Sequence, residues 1–124
     1  MQISIPVGLG ELYDKISILE IKSERITDEA KLKNVRTELS LLKEEAAKFP
    51  INAVLYAELK NVNARLWDIE DAIRAEESRK AFGEEFIRLA RSVYVENDRR
   101  AAIKQKINRA SGSDIVEEKQ YHAY

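Results

Sequence analysis

The residues best suited to chemistry in this chain are polar ones standing where apolar ones are due. Between Glu84 and Ala110 the stripe Phe86, Leu89, Ala90 and Val93 meets Asn97, Arg100 and Lys104, then resumes at Ile103 and Ile107. A polar side chain on a helix seam is costly unless it is satisfied, and it often fixes register or partner. Tyr94, Asn97, Asp98 and Arg100 therefore form the first candidate set. They either break the helix, with Asp98 as an N-cap, or build a polar layer or small anion pocket, and a structural role is favoured.

Other cations offer a second chemistry. Arg25, Arg36, Arg100 and Lys104 would hold a small anion if at least two met in one cleft beside an acid or amide. Arg99, Arg100, Lys104, Lys106 and Arg109 follow one another without an intervening acid, and such a run can touch phosphates. On a helix these five spread around most of the circumference, so a solvated helix end is the better expectation and nucleic acid is an improbable partner. Asp68, Glu70, Asp71, Glu76 and Glu77 are the densest acids. Flanked by Arg65 and Arg74, they read as a salt-laced wet face and not as a metal site. A third set lies on one side of a long helix: Tyr56, Asn63, Trp67, Glu70 and Arg74, about 100° from its apolar seam. Amphipathic aromatics beside a core are typical of interfaces. Tyr56, Asn63, Trp67 and Arg74, with Ile18 and Ile21, are the expected interface residues, and Trp67 is expected to be largely buried. No phosphate-binding glycine loop and no nucleophile–histidine pairing is present, so no catalytic residue is assigned, and no cofactor or metal is expected.

The elements that must position these residues are helices. Leu55, Leu59, Val62, Leu66, Ile69 and Ile73 repeat at alternating spacings of four and three, a heptad seam that needs an apolar partner. Asn52 is its natural cap, and the helix is expected to run to about Lys80, with Gly83 as the residue past its end. Helix 4 then follows from Glu84 to about Ala110, antiparallel to it. Leu32, Val35, Leu39, Leu42, Ala46 and Phe49 give a second seam from the cap at Thr27-Asp28 to about Lys48, ended by Pro50. The first helix, from Leu9 or Glu11 to Ile26, carries Leu12, Ile16, Leu19 and Ile26 on one side and Ile18 and Ile21 nearly opposite. It is expected to be sandwiched. Ile3, Ile5 and Val7 alternate, which predicts a short strand or strap in residues 1–8, and Ile115-Val116 is a candidate strand to pair with it. Residues 111–124 form a C-terminal tail, of which Glu117 to Tyr124 are expected to be frayed.

Length and composition bound the rest. The 124 residues suit one helical domain able to bury roughly two-thirds of its unfolded surface. Charged residues make up 35%, and Gly (4) and Pro (2) are few, as long solvated helices require. A net charge of −1 gives no general pull toward nucleic acid or anionic membrane. With no cysteine there is no disulfide or thiolate chemistry, and a cytoplasmic setting is expected. No apolar run approaches the ~20 residues of a membrane span, and the first residues lack the pattern of a signal peptide. The single His122 leaves no Glu-x-x-His pairs for a di-metal bundle.

The stretches Glu11–Lys22, Leu66–Asp71, Val93–Asp98 and Gly112–Lys119 resemble a family of small all-helical bacterial and phage-type proteins of unknown function. The likeness spans nearly the whole chain. In some relatives this domain accompanies glycosyltransferase-like or tetratricopeptide modules, which implies a surface-polysaccharide context, and the family brings no catalytic residues. A fainter likeness links Leu12–Leu19 and Arg25 to the helical chorismate mutases, which hold a dicarboxylate with Arg and Lys. Here Thr27-Asp28 ends the first helix too early for that pattern. The expectation is an all-α antiparallel four-helix bundle, with two long helices as a coiled-coil-like hairpin and a short N-terminal strand or strap. It is expected to act as an interaction or oligomerisation module and as a homodimer, with a chorismate-mutase-like anion binder and a polyanion binder through 99–109 as the alternatives.

Overall fold

The computed structural model describes residues 1–124. Four helices follow one another: α1 (Leu9–Arg25), α2 (Glu29–Ala46), α3 (Ala53–Ser78) and α4 (Glu84–Ala110). The expected caps are in place. Asp28 accepts a hydrogen bond from the Ala30 N–H at 3.2 Å, and Asn52 accepts from the Val54 and Leu55 N–H groups at 2.8 and 3.3 Å. Glu84 and Glu85 stand in the first turn of α4, where the helix dipole favours acids.

The four pack as an antiparallel bundle with α1 at its centre. α1 approaches each of the other helices, α3 pairs with α4, and α2 makes no close backbone approach to α3 or α4. The side of α1 facing α2 is apolar: Leu12, Ile16 and Ala46 form a core with Leu39 and Leu42 against it. A second core joins α3 to α4 through Leu59, Val62 and Ile107, with Ile103 and Leu55 beside them. Tyr13 links the two. It touches both cores, meets Tyr56 edge-on at 5.9 Å, and donates its hydroxyl to the Ala46 and Phe49 carbonyls at 3.1 and 2.7 Å. The hydroxyl thereby fastens the end of α2 and the turn after it to the core.

Two expectations about chain ends are corrected. Residues 1–8 and 111–124 contain no strand, and Ile3, Ile5 and Val116 are exposed and pair with nothing. A lone strand needs a sheet edge to pair with, and four helices offer none. Gly83 is not the residue that ends α3. Lys80 takes the left-handed conformation (φ 55), the Ala81 N–H reaches the Glu76 carbonyl at 3.0 Å, and the Lys80 N–H reaches that of Glu77 at 3.0 Å. This is a Schellman ending with a lysine at its strained position. Gly83, at φ −86, is the N-cap of α4. The same ending at the far end of α4 does use glycine: Gly112 has φ 64, and the Ser113 N–H reaches the Asn108 carbonyl at 3.0 Å.

The molecule buries less than its length would allow. Its accessible surface is 8882 Å², whereas a folded monomer of 14.3 kDa is expected to expose about 6,800 Å². About 57% of the unfolded surface is therefore removed from water, below the two-thirds expected. The exposed arm and tail supply part of the excess. The rest follows from the architecture. α2 has a single helical neighbour. α1 ends at Arg25, beside Asp68, while α3 continues for ten residues to Ser78. The α3–α4 pair thus extends roughly 15 Å past α1. No helix is long and apolar enough to cross a membrane.

Candidate functional site

On the side of α1 that faces α3 and α4, the buried positions are Gly10, Asp14, Ser17 and Ile21. Their spacings of 4, 3 and 4 make a heptad seam in which three of four residues are not hydrophobic. Gly10 is there because the helices touch. A Cβ at Gly10 would stand 2.6 Å from the Lys104 carbonyl oxygen, and the Gly10 N–H, which α1 itself leaves unpaired, donates to Asn108 Oδ1 at 2.8 Å.

Asp14 is the hub of a buried polar layer. It is 1% exposed, and Arg100 of α4 grips both its oxygens, Nε to Oδ1 at 2.9 Å and the NH2 nitrogen to Oδ2. Asn63 of α3 donates through Nδ2 to Asp14 Oδ1 at 2.9 Å and to Ser17 Oγ at 2.8 Å, and Ser17 donates to the Asp14 carbonyl at 2.8 Å. Lys104, 8% exposed, lies one helical turn beyond Arg100. Its Nζ donates to Glu11 at 2.8 Å and to Glu117 of the tail at 2.9 Å, and stands 3.9 Å from Asp14. The bond to Asp14 raises the Arg100 pKa against the opposing effect of burial. For Lys104, burial opposes the charge but Glu11 and Glu117 outweigh it, so its pKa is also raised. Each buried charge is thus met by an opposite one, the condition for a buried ion network to be tolerated.

α4 runs unbroken through Asn97 and Asp98, so the polar residues of its stripe form a layer and not a helix break. Tyr94, Asn97, Asp98 and Arg100 line one cleft of about 940 Å³, with Val93, Ala101 and Lys104 of α4, roofed by the C-terminal tail. The tail, though without secondary structure, reaches back to α4. Lys119 and the Tyr124 hydroxyl both bind Asp98, whose pKa they lower, and the Tyr124 ring lies 4.9 Å from that of Tyr94.

Of the expected interface residues, Ile21 and Asn63 are buried within the chain and Tyr56 packs against the α1–α2 core. Ile18, Trp67 and Arg74 line a second, open cleft of about 430 Å³, with Leu66, Asp71, Asn97 and Arg100. Trp67 is half-buried, short of the burial expected, because α1 covers only one side of it and Arg25 lies over its ring at 5.8 Å. Arg100 borders both clefts.

The four candidate anion-binding cations divide. Arg25 pairs with Asp68 at 2.5 Å and Arg36 faces Glu29 at 3.9 Å, whereas Arg100 and Lys104 converge beside Asn97 and Asp14. Of the basic run, Arg99 is taken by the buried Glu96 at 2.6 Å. No group of three or more His, Asp or Glu side chains converges to hold a metal ion.

A further cluster, not anticipated from the sequence, sits where α1, α2 and α3 meet. The Glu20 carboxylate receives Lys60 at 3.2 Å and Lys43 at 3.4 Å, and Lys60 also donates to Glu24 at 2.6 Å. Burial works against ionised Glu20, but Tyr56, Lys60 and Lys43 outweigh it and its pKa is lowered. Burial, and then the Glu20 carboxylate, pushes the Tyr56 phenol well above its ordinary range.

No curated protein and no solved structure gives a significant match to this chain. The model of one protein family matches from the first residue to the last, and with it the chain belongs to the family of unknown function DUF6165, over residues 1–124.

Proposed function

We propose that the chain acts as a self-associating interaction module, a homodimer formed through the open cleft of Ile18, Trp67 and Arg74. The observation that carries this reading is the surface left uncovered: roughly 2,000 Å² beyond a folded monomer of this mass, of which the arm and tail supply part, against the ~800 Å² that each partner buries in a standard interface. The cleft runs from Ile18 of α1 along α3 to Arg74, which lies past the end of α1. It has the composition of an interface core, one aromatic anchor with aliphatic neighbours and a polar rim. Its charges are also self-complementary. Asp71 has no ion-pair partner in the chain, and Arg74 has only a loose, exposed contact to Glu70 at 3.5 Å. A two-fold axis would set Asp71 of one copy against Arg74 of the other.

Polyanion binding through 99–109 is the weaker reading, because Arg99, Arg100 and Lys104 already hold carboxylates. Trp67 is the only tryptophan, so its emission reports directly on the cleft. Light scattering over a concentration range is expected to give twice the 14.3 kDa chain mass, with a blue shift of Trp67 emission as the dimer forms. Arg74→Glu is expected to raise the dimer dissociation constant at least tenfold. A mass of one chain at every concentration, with unchanged emission, overturns the proposal.

A further inference from the structure

The chain's least structured segment provides a partner for one of its most enclosed charges. Lys104 is 8% exposed, and two of its hydrogen bonds go to carboxylates of opposite kinds. Glu11 belongs to α1 and is fixed by the bundle. Glu117 belongs to a tail without secondary structure, exposed from Asp114 to Tyr124. The tail's other anchors on α4, Lys119 and Tyr124 on Asp98, are also exposed, and exposed ion pairs hold weakly. The tail leaves α4 at Gly112, whose left-handed conformation a glycine adopts without strain.

Without Glu117, the Lys104 ammonium would keep Glu11 and turn a vacated donor toward a cleft of about 940 Å³. That volume suits a small organic molecule. On α4 the cleft is also lined by Val93, Tyr94 and Ala101, which are apolar or aromatic, and Asn97 offers an amide beside Arg100. On the floor Arg100 holds Asp14, while Lys104 holds two carboxylates at once, Glu11 from the bundle and Glu117 from the tail.

We propose that the cleft between α4 and the C-terminal tail is a binding site for a small organic carboxylate. The ligand's carboxylate takes the place of Glu117 on Lys104, and its apolar body lies on Val93, Tyr94 and Ala101. The tail is then the site's own occupant, and Glu117 competes with the ligand from within the chain. The self-association proposed above uses the other cleft and does not depend on this site.

The test is thermal unfolding of the full chain with phenylacetate, its uncharged counterpart phenylacetamide, and inorganic phosphate. Glu117→Gln removes the internal carboxylate and keeps the tail. In this variant phenylacetate is expected to raise the melting temperature by a few degrees, saturably, as binding to the folded state requires. The natural chain is expected to need at least tenfold more phenylacetate for the same shift. Phenylacetamide and phosphate are expected to give none, and Tyr94→Ala, at an exposed position, to weaken the response several-fold. An equal response to phenylacetamide, an equal response to phosphate, or no saturable response in Glu117→Gln up to tens of millimolar overturns the proposal.

Discussion

The two buried sides of α1 solve the same packing problem by different chemistry. Toward α2 the contact is Leu12 and Ile16 on Leu39, Leu42 and Ala46. Toward α3 and α4 it is Gly10, Asp14 and Ser17 on Asn63, Arg100, Lys104 and Asn108. An apolar contact tolerates sliding and repacking so long as volume is kept. A bidentate Arg100–Asp14 pair with Asn63 on the same carboxylate tolerates neither, because a shift of one residue leaves a buried charge alone. The polar side therefore fixes the register of α1 on the α3–α4 pair, and with it places Arg100 and Lys104 at the clefts.

That contrast is broken most strongly at Arg100. Arg100→Met leaves the buried Asp14 carboxyl without its bidentate partner, and is expected to cost about 3–5 kcal/mol in urea unfolding. Leu39→Ala, on the α2 side and only half-buried, is expected to cost clearly less. Gly10→Ala probes the close approach itself. Alanine favours a helix by about 1 kcal/mol, but its methyl group would meet the Lys104 backbone at 2.6 Å, so a net loss of about 1–3 kcal/mol is expected.

Raising the pH sharpens the comparison on the alkaline side. Lys104, Lys60 and Tyr56 all have folded pKa values above their ordinary 10.5, 10.5 and 10.0. A raised value means that the folded state holds its proton longer than the unfolded one. The stabilisation is complete below about pH 10 and is lost as the pH climbs through the folded values. Stability is expected to fall steadily above pH 10, with one tyrosine ionising, by its absorbance, only as the chain unfolds. The smallest effect is expected at the end of α3, where Lys80→Gly relieves a left-handed lysine and should stabilise by about 1 kcal/mol.

The helices were legible because their signals are local. The caps at Asp28 and Asn52 and both ends of α4 can be read from side chains that hydrogen-bond nearby backbone or suit a helix end. The apolar seams of α2 and α3 follow from spacing alone. What was hidden is the polar seam of α1. A search for hydrophobic periodicity passes over Gly10, Asp14 and Ser17, although their spacing continues to the buried Ile21. It finds Ile18 and Ile21 without the residues that explain them. Arg100 and Lys104 stand out as polar residues on an apolar stripe, but their partners on α1 lie about 90 positions away, beyond any local rule. The tail's contacts leave no periodic trace, because they are three side-chain anchors on an irregular segment. Lys80 was missed because glycine is the usual sign of a left-handed residue, and Gly83 stood close by.

The central claim is that Asp14 and Arg100 act as one unit that registers α1. A double-mutant cycle tests it most directly, with Asp14→Leu, Arg100→Leu and both together, each measured by urea unfolding. The account predicts that the double variant loses far less than the two single losses combined, with a coupling of at least about 2 kcal/mol. Additivity within about 0.5 kcal/mol would contradict it.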